Sequence, residues 1–69
     1  MSQISIQVNG KNFTSESNLL LLQLLDKLEF NPRLIAIEYN GEILHRQYWE
    51  NTKIKEGDIL EIVTIVGGG

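Results

Sequence analysis

Ile59-Leu-Glu-Ile-Val-Thr-Ile-Val66-Gly-Gly-Gly69 closes the chain with an apolar run that passes directly into three glycines. The unbroken β-prone residues from Ile59 to Val66 read as a strand. Leu60 and Ile62 point to one face in this reading, and Glu61, Val63 and Ile65 to the other. Glu61 suits a solvated face. Val63 and Ile65 do not, so the strand becomes apolar on both faces as it nears the tail. Such a pattern usually marks a central strand covered on both sides. The rest of the chain offers only one substantial helix, which can cover only one face. The expectation is therefore a central strand whose uncovered end, Val63, Ile65 and Val66, docks a protein partner.

Glycine has no Cβ, so Gly67, Gly68 and Gly69 can pass through a narrow channel and adopt backbone angles closed to other residues. Extended, residues 66–69 reach roughly 13 Å. Such a tail serves little purpose in a core. It is useful where a terminal carboxylate must enter another protein's active site. The alternatives are a frayed terminus or a linker remnant.

Working outward, Ile4, Ile6 and Val8 alternate with polar residues, the period of a strand with one buried face. Asn9-Gly10 then predicts a type I′ hairpin turn, and residues 11–14 return with Phe13 inward. Leu19 to Leu28 reads as a helix capped by Ser17 or Asn18, with Leu21, Leu24, Leu25 and Leu28 on one apolar face. Leu20 and Leu22 fall off that face and are expected to pack under flanking loops. Pro32 stops the helix or marks the loop after it. Residues 34–39 form another strand, Asn40-Gly41 a second hairpin turn, and residues 42–44 its return. His45 to Thr52 is a loop or short helical turn, and Thr52 to Ile54 a brief extended piece. Glu56-Gly57-Asp58 is a turn.

One helix with four or five strands makes a two-layer α+β domain, the helix packed on one face of a mixed sheet. This order suggests a β-grasp (ubiquitin-like) arrangement, with the last strand beside the first. Residues 1–66 form the single domain and 67–69 a flexible tail.

Composition narrows the function. Without cysteine there are neither disulfides nor thiolate ligands, and one histidine, His45, cannot build a metal site by itself. Nine Asp/Glu against six Lys/Arg give a net charge of −3 without a basic stripe, which argues against nucleic acid. The acidic balance suits a protein partner with a basic docking face. No apolar run is long enough to span a bilayer, and the N-terminal residues show no signal peptide; the expectation is a soluble cytoplasmic protein without a membrane partner. No nucleophile-base set or Gly-rich phosphate loop is visible, so an independent catalyst is not expected. The terminal carboxylate, ionised at neutral pH, can instead attack the α-phosphate of ATP to form an acyl-adenylate. A sulfur nucleophile can then displace AMP and leave a thiocarboxylate. The chain is the substrate in that chemistry.

The Asn40-Gly-Glu-Ile43 hairpin, Arg46 with Trp49 three residues on, the Gly57-Asp58 turn and the Gly68-Gly69 end resemble the ThiS family of sulfur carriers in thiamine biosynthesis. The resemblance covers essentially the whole chain; His45 departs from a proline common at that position. It implies that Gly69 is adenylated by a ThiF-type enzyme using ATP and Mg²⁺ and receives sulfur from a cysteine desulfurase. The sulfur then passes to a ThiG-type thiazole synthase. No cofactor is bound by the carrier itself. Trp49 then covers a core edge and Arg46 satisfies loop carbonyls, with partner docking as the other role for both. Three alternatives stay open: a MoaD-like carrier for molybdopterin synthesis, a β-grasp interaction module with an inert tail, and a protein-conjugating modifier.

Overall fold

Asn9 and Gly10 have φ of 53° and 82°, and Asn40 and Gly41 of 51° and 89°. Both Asn-Gly pairs therefore make the positive-φ turns that fit the twist of a hairpin. In the computed structural model, which describes residues 3–65, the first turn joins β1 (Gln3–Val8) to β2 (Lys11–Glu16). The second joins β3 (Ile35–Tyr39) to the two-residue β4 (Glu42–Ile43). The last strand, β5 (Ile59–Thr64), lies in the middle of a five-stranded sheet of order β2-β1-β5-β3-β4. It runs parallel to β1, with Gln7 beside Ile59, and antiparallel to β3, with Ile37 beside Ile62. This mixed sheet, with one main helix on one face, is the expected α+β architecture.

The helix α1 (Leu21–Lys27) is shorter than its sequence suggested. Leu19 and Leu20, expected inside it, pair instead with the crossing segment: Leu20 bridges Lys53, and Ile54 N–H donates to Leu19 C=O at 2.8 Å. Long-range pairing has outweighed helix propensity there. Neither Ser17 nor Asn18 caps the helix. The Leu20 amide donates to Gln23 Oε1 at 2.9 Å, and the Leu21 amide to Thr52 C=O at 2.8 Å. At the other end Glu29 takes a left-handed φ of 65°, and the Glu29 and Phe30 amides reach back to Asp26 and Leu25. That pair of bonds is a Schellman closure, so the helix stops before Pro32, which opens a 3₁₀ turn (Pro32–Leu34).

Leu21, Leu24 and Leu25 are buried against Ile4, Ile6, Ile37, Leu60 and Ile62 of the sheet, with Leu28 half-buried at the rim. Leu20 and Leu22 are 38% and 40% exposed, against the expectation that loops would cover them. The helix seats its i, i+3, i+4 stripe on the sheet, which leaves residues to either side of that stripe open to solvent. No helix among the described residues is long and apolar enough to cross a membrane.

Candidate functional site

Strand β5 is held from both sides by the asparagines of the two turns. Parallel pairing with β1 runs through Gln7 N–H to Asp58 C=O (3.0 Å) and Asn9 N–H to Leu60 C=O (2.9 Å). There β1 turns away. The Asn9 side chain continues the ladder by one step: its Oδ1 accepts from Ile62 N–H at 2.7 Å, and its Nδ2 donates to Ile62 C=O at 3.1 Å. A primary amide can do this because it carries a donor and an acceptor, as a peptide group does. On the opposite side Asn40 Oδ1 accepts from Ile59 N–H at 2.8 Å, while its Nδ2 donates to Asp58 Oδ1 at 3.1 Å.

Asp58, read from sequence as a turn residue, is buried at the start of β5. Besides Asn40 it accepts from the Tyr39 hydroxyl and from Lys55 N–H. Burial pushes the Tyr39 hydroxyl well above its usual pKa, and the hydrogen bond to Asp58 and its negative charge push the same way. The phenol is therefore protonated at neutral pH and able to donate. These contacts fix the root of the strand that leads to the terminal glycines.

Among the described residues, no helix covers the far face of the sheet. Strand alternation and register place Gln3, Ser5 and Gln7 of β1 there, with Asn12, Thr14 and Glu16 opposite them on β2. The other half of the same face holds Ile59, Glu61 and Val63 of β5, Ala36 and Glu38 of β3, and Ile43 of β4. Val63 is 58% exposed and Ile43 70%. Together with Ala36, Glu38 and Glu61 they line a shallow open groove. Ile65, 46% exposed, follows β5 and donates its N–H to Leu34 C=O. The structure thus brings the predicted docking residues Val63 and Ile65 to the surface at one end of β5. It also adds Ile43, which the sequence reading assigned only to a return strand. Val66, Gly67, Gly68 and Gly69 lie outside the described residues.

Trp49 and Arg46 lie on the other side, in the 3₁₀ turn Arg46–Asn51. Trp49 is 4% exposed, part of the core, and its Nε1–H donates to Leu44 C=O at 2.9 Å. Arg46 stacks on that ring, its guanidinium carbon 4.4 Å from the ring centroid, and donates to the carbonyls of Pro32 and Ile35 at 2.6 and 3.1 Å. The Arg-x-x-Trp spacing thus closes a loop over the core edge. The indole offers a partner almost no surface, which takes Trp49 out of the docking set expected from sequence.

The ThiS family model matches residues 6–69. The chain is 47% identical over 66 residues to "Uncharacterized protein ycf40" of Porphyra purpurea, covering 96% of this chain and 93% of that one. It is 29% identical to "Sulfur carrier protein ThiS" of Bacillus subtilis, covering 93% and 98%. It is also 30% identical to "Thiazole synthase" of Paramagnetospirillum magneticum, where the match takes 96% of this chain but only 20% of the relative's length. The crystal structure of the thiamine biosynthesis protein ThiS from Geobacter metallireducens, a β-grasp fold, superposes with a TM-score of 0.82 at 33% identity, covering 96% of this chain and all of that one.

Proposed function

This chain belongs to the ThiS family of sulfur carriers of thiamine biosynthesis, and from that premise we propose that its own C-terminal carboxylate is the sulfur-carrying group. The carboxylate of Gly69 attacks the α-phosphorus of ATP, held with Mg²⁺ in a ThiF-type enzyme, and pyrophosphate leaves. A sulfur nucleophile supplied through a cysteine desulfurase then attacks the carbonyl carbon of the adenylate. AMP departs to leave an acyl disulfide, a thiol cleaves its S–S bond and is itself left as a disulfide, and the thiocarboxylate is released for delivery to a thiazole synthase. The chain acts as carrier and co-substrate, not as catalyst.

The observation that carries this reading is family membership together with the Gly67-Gly68-Gly69 end of the sequence. The thiazole synthase partner is supported by relatives of that name that include a region similar to nearly all of this chain within a much longer polypeptide. In this reading, Val63, Ile65 and Ile43 seat the carrier on a partner while the tail enters its active site.

The test is the intact mass of the chain after incubation with ATP, Mg²⁺, a ThiF-type enzyme and a sulfur source. A gain equal to one oxygen replaced by sulfur, located on the C-terminal peptide, is expected. An unchanged mass, with the enzyme active on a control carrier, would sink the carrier reading. Gly68→Val should leave folding intact and abolish adenylation, because a branched side chain blocks the threaded path. Normal ATP–pyrophosphate exchange with that variant would rule out threading.

A further inference from the structure

Glu38 and Glu61 stand directly opposite each other on β3 and β5, both exposed, on the open face of the sheet. Like charges in directly opposed cross-strand positions destabilise a sheet. Among the described residues, no lysine or arginine at a strand position of that face offsets them. Those positions carry three carboxylates, Glu16, Glu38 and Glu61. Arg46 lies on the other side of the sheet, where it donates to two carbonyls and stacks on Trp49. The pair is flanked by apolar surface, with Val63 beyond Glu61 on β5 and Ile43 opposite Glu38 on β4.

From this we infer that the face receives a protein surface of matching chemistry, an apolar patch centred on an arginine whose guanidinium sits between Glu38 and Glu61. The inference rests on the carrier reading above and names thiazole synthase as the partner. A guanidinium fits better than an ammonium. It is planar, presents several donors to two carboxylates at once, and is more weakly hydrated, so it is easier to bury beside Val63 and Ile43. The free carrier bears the repulsion, and the complex relieves it. Residues that weaken the isolated fold and strengthen the complex are a mark of a surface shaped by binding.

The test follows from those opposite signs. Glu38→Gln/Glu61→Gln removes the charges and keeps the side-chain shape. Its melting temperature should equal or exceed that of the unsubstituted chain. Its affinity for thiazole synthase, measured by calorimetry at low and high salt, should fall about tenfold or more, with a weaker dependence on salt. Glu61→Lys, which places opposite charges across the pair, should melt higher still and bind least. Binding by the double variant equal to that of the unsubstituted chain would overturn the inference. So would a lowered melting temperature, or a loss of affinity confined to the adenylating enzyme. An unsubstituted chain that accepts sulfur yet does not bind thiazole synthase overturns the inference and leaves the carrier reading standing. A chain that accepts no sulfur removes both.

Discussion

The open face of the sheet divides into two unlike halves. Across β1 and β2 it presents Gln3, Ser5, Gln7, Asn12, Thr14 and Glu16, the polar set expected of an antiparallel face that meets water. Across β5, β3 and β4 it presents Ile59, Val63, Ala36 and Ile43 around Glu38 and Glu61. Both halves belong to one sheet and lack a covering helix, so fold alone does not account for the difference. The polar half shows that this sequence can build a solvated face. The apolar half adjoins the end of β5 that leads to the glycine tail, and it is the half proposed above to receive a partner.

The contrast can be broken most severely from within β5. Leu60 is fully buried on the helix side, one residue from exposed Glu61. Leu60→Ala should cost about 2–5 kcal/mol in urea unfolding, a large share of what a small domain possesses. Val63→Asp on the open side of the same strand should change stability by no more than about 0.5 kcal/mol. It should nonetheless weaken partner binding about tenfold or more, since it buries an unpaired charge. Thr14→Asp, the matching change on the polar half, should leave binding within about twofold. Equal losses from Val63→Asp and Thr14→Asp would erase the distinction between the halves.

Tyr39→Phe probes how firmly the root of β5 is held. At neutral pH it should cost about 1–2 kcal/mol, because Asp58 loses a donor. The Tyr39 pKa is raised in the fold, so its contribution is fully present below the unfolded value of about 10 and is lost as pH climbs toward the folded value. Stability of the unsubstituted protein should therefore fall above about pH 10, and the gap to Tyr39→Phe should close. A constant gap measured by denaturation from pH 7 to 11 would contradict this account. The smallest effect is expected at Leu22→Gln, within about 0.5 kcal/mol, since that side chain already meets solvent.

Much of this was legible because local rules act on neighbouring residues. The two Asn-Gly turns, the leucine stripe and the alternation in β1 each depend on a few adjacent positions. The helix start was not legible: Leu19 and Leu20 are sound helix formers diverted by a segment more than thirty residues away. Nor was the role of Asn9, since a turn asparagine looks the same whether or not its amide continues a ladder. Glu38 and Glu61 are ordinary surface charges in the sequence, twenty-three positions apart, until the β3–β5 register sets them side by side.

Element types, turn geometry, the buried stripe and the glycine run were readable from contiguous chain, because periodicity, propensity and residue identity are local properties. Tertiary structure decided which side of β5 is covered and that Ile43 joins Val63 around an opposed pair of carboxylates. Those outcomes depend on strand order and register, which bring distant residues together and which no local pattern specifies.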